Sequence, residues 1–268
     1  MTAPATSSKD PRIVRAARLL RDPAARREEG AFVIDHEDLL HQALTANLTI
    51  ELCFTPQQKG TVPLSFTAEH EGTVPFCFTG EDGMRALSVV GEVPRVVAVV
   101  RTPPSPLDLP PSSLVLAGVA DAGNVGSIVR TARALGLPRV ALTPECADPW
   151  SRRALRAALG ASFAPGLVAT ERPLQALAAL PDRPPLAAAV ARGGQAPETL
   201  PPGAAVVLGS ERDGLTPGER ACCDLEVTVP AAGFESLNVA AAAAILAYGM
   251  ATRRAPGRGG PTGAGGSA

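Results

Sequence analysis

The segment TPPSPLDLPPSS, residues 102–113, carries five prolines in twelve positions. Proline fixes φ and lacks an amide hydrogen, so such a run continues neither a helix nor a central strand and acts as a semi-stiff spacer. The folded units must therefore lie on either side of it. On both sides short apolar runs alternate with helical patterns, which is the signature of α/β architecture. Before the spacer the runs are AFVI (31–34), TIELCF (49–54), VPFCF (74–78) and RVVAVV (95–100), with helical patterns around 37–46 and 80–87. After it, strands are predicted at 114–119, 139–143, 186–190, 205–208 and 225–229, and helices at 125–135, 149–159, 171–180 and 237–252. The later strands are near-continuous apolar runs, as a parallel sheet covered on both faces requires. The expected layout is a disordered start at 1–8, a smaller α/β domain at 9–101, the linker at 102–112, a second domain at 113–254 and a disordered Gly-rich tail at 255–268.

Composition excludes several function classes. Aromatic residues are 3% of the chain, which argues against a nucleic-acid platform of stacked rings. Net charge is −1, but it is unevenly spread: Lys9 to Arg27 holds seven basic and two acidic residues, and Glu28 to Pro111 holds four basic and twelve acidic. Arg12, Arg15, Arg18 and Arg21 recur at threes, with Ile13, Val14, Ala17 and Leu20 between them, so an amphipathic helix with a basic face is expected. Such a patch suits a polyanion. The five cysteines are odd in number and form no C-x-x-C, which argues against a zinc site or a disulfide framework and for a reducing, cytoplasmic setting. No apolar leader opens the chain, and the longest apolar stretch, Val239 to Tyr248, is too short to span a bilayer. No membrane partner and no metal are expected. The three histidines, His36, His41 and His70, all precede the spacer, so the second domain has no histidine for a triad or metal cluster.

Three segments after the spacer could carry chemistry. In VADAGNVGSIVRTARALG (119–136), Asn124 is placed to cap a helix, Gly136 to stop it, and Ile128, Val129, Ala132 and Leu135 form its apolar stripe. A capped sheet helix explains that pattern alone. A dinucleotide fold does not, because the turn A-G-N-V-G-S misplaces the glycines of G-x-G-x-x-G. In VVLGSERDGL (206–215), an apolar strand ends in Gly-Ser-Glu, where a ligand can touch backbone amides; Glu211 is either a ligand-orienting group or a solvated loop carboxylate. In VTVPAAGFESLNVAAAAAIL (227–246), Ser236 and Asn238 precede an Ala-rich helix and could serve only as caps.

Taken in this order, the three segments resemble the signature motifs of the SPOUT superfamily, SpoU (TrmH) branch. The matching residues are Asn124, Gly126, Ile128, Arg130, Thr131 and Ala132; then Leu208, Gly209, Ser210 and Glu211 with Gly214; then Val229 and Pro230 with Glu235 to Val239. The match spans roughly residues 113–252. Arg26, Arg27, Gly30, Phe32 and Val33 are similar, more loosely, to the family's L30e-like substrate-recognition domain, although Asp35-His36 stands where relatives have Glu-Gly. The loop from Pro230 to Ser236 is one residue shorter than in many members, and Ala158 stands where relatives often have Ser.

The resemblance implies a parallel-sheet SPOUT domain with a deep trefoil knot and a homodimer with its site near the subunit interface. It implies an S-adenosylmethionine-dependent RNA ribose 2′-O-methyltransferase, with ribosomal RNA ahead of transfer RNA as substrate; a non-catalytic RNA-binding or assembly factor is the other class. Arg130 takes the central role, with Asn124, Glu211, Ser236 and Asn238 completing the polar site. Leu208, Gly209, Val229, Pro230 and Leu237 hold the cofactor. A guanidinium is a poor base, so Arg130 is expected to orient ribose and phosphate, with transient proton acceptance second. Arg12, Arg15, Arg18, Arg26, Arg27, Arg152, Arg153 and Arg156 are the expected phosphate contacts.

Overall fold

The computed structural model describes residues 7–56, 74–89, 93–104, 106–231 and 236–253. Residues 1–6, the tail from 254 and most of the loop before Ser236 lie outside this range, as do the expectations that concern them. Helix α1 (Pro11–Arg21) starts on Asp10, whose carboxylate accepts the Arg12 amide, and buries Ile13, Ala16, Leu19 and Leu20. It stops at Asp22, and Pro23 opens α2 (Pro23–Glu29), a helix outside the predicted set. Gly30 ends α2 in the left-handed region, φ 59°, a conformation that favours glycine. There follow β1 (Ala31–Ile34), α3 (Glu37–Thr45), β2 (Ile50–Pro56), β3 (Phe76–Thr79), α4 (Glu81–Ala86) and β4 (Val97–Arg101). The strands form a mixed sheet in the order β1-β4-β2-β3, with β2 and β3 parallel and the other pairs antiparallel.

The predicted spacer is packed rather than free. Leu109 is buried beside Val115 and Val207, and Arg139 pairs with Asp108. Beyond it come β5 (Leu114–Leu116), α5 (Ala122–Ala134), β6 (Val140–Leu142), α6 (Arg152–Ala158), β7 (Leu167–Ala169), α7 (Leu174–Ala178), β8 (Leu186–Ala189), β9 (Ala205–Leu208), α8 (Pro217–Arg220), β10 (Leu225–Val227) and α9 (Val239–Thr252). All six strands are parallel, in the order β10-β8-β9-β5-β6-β7. Their burial on both faces is what the unbroken apolar runs require. The expected helices at 149–159 and 171–180 are trimmed to α6 and α7, because Ser151 caps the first and Pro173 precedes the second.

The two sheets share a core. Phe32 of β1 stacks on Trp150, ring centroids 4.7 Å apart, and on Phe163 at 6.0 Å. Arg26 reaches Asp148 at 2.6 Å beside this contact.

Gly126 lets α5 and α6 touch backbone to backbone. A Cβ there would stand 2.3 Å from the Ala154 carbonyl oxygen and 2.7 Å from the Ala157 Cβ. Gly126→Ala is therefore expected to lower unfolding free energy by about 1–3 kcal/mol, the usual cost of overpacking. Urea titration of the variant beside the parent checks this; an unchanged midpoint overturns it.

Candidate active site

The site is assembled from three loops at the carboxyl ends of β5, β9 and β10. After β5, Asp121 caps α5: its Oδ1 accepts the Asn124 amide at 2.9 Å. Asn124 is thus not the cap that the sequence suggested. Asp121 does that work, and the Asn124 side chain is left for other partners. After β9, the chain closes on itself through Ser210 and Gly214, whose amides each donate to the other's carbonyl at 3.1 Å. That closure presents Glu211 to the start of α5. The Glu211 carboxylate accepts from the Ala120 and Asp121 amides, both at 3.1 Å, and from Asn124 Nδ2 at 2.9 Å. Before α9, Asn238 is the N-cap, its Oδ1 accepting from Ala240 and Ala241. Its Nδ2 also donates to Asn124 Oδ1 at 3.4 Å. Asn238, Asn124 and Glu211, far apart in sequence, form one hydrogen-bonded chain.

Partial burial pushes the Glu211 carboxyl up, but the bonds from Asn124, Ala120 and Asp121 outweigh it and hold the group below the usual carboxylate range. Its clamp is therefore present above the unfolded value, about 4.3, and is lost only as pH falls through the lower folded value. A carboxylate with three donors is a brace for the α5 turn. Glu211→Ala is expected to cut turnover on the order of 10²-fold by loosening that turn. Glu211→Gln, which keeps one acceptor oxygen, should fall in between. Steady-state kinetics decide; equal rates for both variants and the parent overturn the brace.

Beside this chain lies a cavity of about 440 Å³ at the ends of β8, β9 and β10. Of the expected cofactor residues, Leu208, Gly209, Val229 and Leu237 line it; Pro230 stands at its margin, between Val229 and Ala231. Ser236 and Glu211 also line it. Ala189, Val190 and Arg192 line it too and were not among the expected residues. The signal for them was the carboxyl end of the LAAAV run, since ligands of open parallel sheets bind at that edge. A lining that sets Leu208, Val229, Leu237 and Leu246 beside Glu211 and Arg192 at three strand ends fits a nucleoside-bearing, charged cofactor such as S-adenosylmethionine. Among the described residues, no His, Cys, Asp or Glu cluster is placed to hold a metal ion.

Arg130 lies on α5 about 9 Å beyond Asn124 along the axis. It is exposed, and among the described residues it has no ion pair or hydrogen bond. Arg133 contrasts with it: half-buried, it donates to the Pro165 carbonyl at 2.7 Å, and burial pushes its guanidinium down from the usual range.

The basic face of α1 is largely spent on carboxylates. Arg12 pairs with Asp10, Arg15 with Glu29 and Glu51, and Arg18 with Glu28. Arg27 faces Glu171 at 3.5 Å. Arg26 must be corrected outright. Only 6% exposed, it binds Asp148 and the Leu19 carbonyl, so its donors are turned to the domain contact and not to the surface where phosphate was expected. On α6, Arg153 holds Asp121 at 2.7 Å, while Arg152 and Arg156 both pair with Asp35.

An open parallel sheet, a cavity at its carboxyl edge and a polar cluster beside that cavity define a nucleotide-ligand-binding α/β enzyme. Residues 111–248 match the model of the SpoU rRNA Methylase family. The chain belongs to that family and is a methyltransferase. It is 30% identical, over 91% of each chain, to an uncharacterised tRNA/rRNA methyltransferase of Synechocystis. It is 31% identical to the Bacillus subtilis 23S rRNA (guanosine(2553)-2′-O)-methyltransferase RlmP, over 63% of this chain and 69% of that one. Its fold matches the SpoU methyltransferase AviRb of Streptomyces viridochromogenes, crystallised with AdoMet, with a TM-score of 0.81 at 22% identity, covering 93% of this chain and 100% of that one.

Proposed function

We propose that this chain transfers a methyl group from S-adenosylmethionine to a ribose 2′-hydroxyl of ribosomal RNA. The observation that carries the reading is the Asn238–Asn124–Glu211 chain beside the cavity. The family supports the reaction, and the printed activity of the Bacillus relative supports the substrate class. When bound, S-adenosylmethionine supplies an electrophilic methyl whose leaving group is a neutral thioether. The protein therefore needs no acid for departure; its work is to align the groups, while the 2′-hydroxyl proton released as the O–CH3 bond forms passes to water, with Arg130 as a transient acceptor on the way. Leu208, Gly209, Val229 and Leu237 hold the cofactor, with Pro230 at the margin. Arg130 grips ribose and phosphate as a fixed fork of donors. Asn124 and Asn238 position the target nucleotide, Glu211 braces Asn124, and Ser236 adds a hydroxyl at the cavity wall.

The same reading places a trefoil knot in the second domain and an L30e-like fold, with RNA-binding duty, in the first. The mixed four-stranded sheet flanked by helices supports the latter. The working unit in this reading is a homodimer. Ile245 and Tyr248, 46% and 62% exposed, stand at i,i+3 on α9, and Leu237 is exposed just before it. An uncovered apolar face of that kind beside the site supports a second copy as its cover. The five free cysteines support a reducing, cytoplasmic setting.

The test is transfer of labelled methyl from S-adenosylmethionine to separated, unmodified ribosomal and transfer RNAs, with modified nucleosides identified by mass spectrometry. A 2′-O-methyl nucleoside in ribosomal RNA is expected. Label in transfer RNA alone reassigns the substrate. Neither transfer nor cofactor binding, the latter read as a rise in melting temperature with S-adenosylmethionine, overturns the reading in favour of a non-catalytic RNA-binding factor.

A further inference from the structure

A second cleft, of about 450 Å³, opens where the two domains meet. Asp35 and His36 stand on one side, Val89, Val93 and Arg95 on another, and Arg152 and Arg156 on the third. A neighbouring hollow of about 420 Å³ shares His36 and Arg156 and continues it. Each is large enough for a nucleotide.

The charges differ from those on α1. There, Arg12, Arg15 and Arg18 are bound to carboxylates. Arg95 is exposed and, among the described residues, has no ion pair. Arg152 and Arg156 share the single carboxylate of Asp35, so that trio keeps one positive charge, although three arginines and three carboxylates line the cleft as a whole. Glu37 and Asp38 stand on the same rim, Asp38 opposite His36 at 3.7 Å. They suit the amino edge of a base, not a phosphate. Val89 and Val93 are 45% and 41% exposed, an apolar lip on which a base can lie.

The cleft also connects to the transfer site. Arg153, on the same helix as Arg152 and Arg156, holds the Asp121 cap of α5. The seven residues of α6 span about 10 Å, so one helix joins the two places.

We propose that this cleft holds a nucleotide of the substrate RNA outside the methylated one, with its phosphate on Arg95 and Arg156 and its base against the side chains of Val89 and of Val93. The inference rests on the RNA methyltransferase reading. RNA that lies here is anchored by the first domain while the second performs transfer.

The experiment compares Arg95→Glu and Val93→Glu with the parent and with Arg172→Glu, an exposed arginine outside the cleft. RNA affinity is titrated directly at several salt concentrations, and kinetics are run on the RNA that the parent methylates. Both cleft variants are expected to raise Kd and KM for RNA about tenfold or more, with kcat and S-adenosylmethionine binding unchanged. Arg95→Glu should also flatten the salt dependence by about one phosphate contact. Parent-like Kd and salt slope in Arg95→Glu overturn the cleft, as does an equal loss in Arg172→Glu. If the parent methylates no RNA, the functional reading fails, and the binding titrations still decide the cleft by the same two criteria.

Discussion

Arg130→Ala is expected to abolish detectable methyl transfer, a loss on the order of 10³-fold, while S-adenosylmethionine binds as before. The geometry separates the two effects. Arg130 is exposed, and among the described residues nothing in the fold leans on it; the α5 turn is held instead by the Asp121 cap and the Glu211 brace. It does not line the cavity at the strand ends. Removing an exposed side chain of this kind shifts stability by only about 0.5 kcal/mol. What disappears is a planar set of charged donors on the exposed side of α5, about one and a half turns beyond Asn124. Arg130→Lys should rescue little, because an ammonium reproduces the charge but not the fork. Isothermal titration with the cofactor and single-turnover transfer, run on the same preparations, check both halves. Equal loss of binding and transfer would sink the assignment.

The parallel sheet was legible because doubly buried strands leave unbroken apolar runs, and four of the five predicted strands of the second sheet were trimmed by only one to three residues. Strand β7 was missed since only Leu167, Val168 and Ala169 stand between Gly166 and Thr170, too few to register as a strand. Asn124 was read as a helix cap on residue type. Asp121, three positions earlier, is equally good chemistry for a cap and wins the place. Asn238 suits either a cap or a polar-site residue by type; its Oδ1 caps α9, and its Nδ2 meets Asn124.

The arginines are a different case. Their spacing on α1 was readable, but their partners were not. Glu29 is 14 residues from Arg15, and Asp148 is 122 residues from Arg26. Charge that looks free along a sequence is compensated across the fold, and no local window contains that information. Arg95 is the converse. Nothing in its neighbourhood marked it, and only the meeting of two domains places it in a cleft.

Gly209→Ala is expected to weaken S-adenosylmethionine binding by about 100-fold and to remove transfer with it. A Cβ at this position would stand 2.2 Å from the Gly214 carbonyl carbon, 2.4 Å from the Leu215 nitrogen and 2.6 Å from the Gly214 oxygen. All three are backbone atoms, so no side-chain rotation relieves the overlap, and the loop from Gly209 to Leu215 must open. That loop lines the cavity and carries Glu211, so opening it spoils the cofactor wall and the Asn124 brace at once. Overpacking of this kind costs about 1–3 kcal/mol of stability, which a chain of this size can absorb. Trp150, the single tryptophan, stacks on Phe32 at the domain contact, and its fluorescence reports whether the rest of the fold survives. Gly218→Ala is the control: nothing lies within 4 Å of its added Cβ, and alanine in that helical turn should be neutral or slightly stabilising. Titration of cofactor into both variants separates the cases. Parent-like affinity in Gly209→Ala, with Trp150 unchanged, would mean that the cavity at the strand ends is not where the cofactor sits.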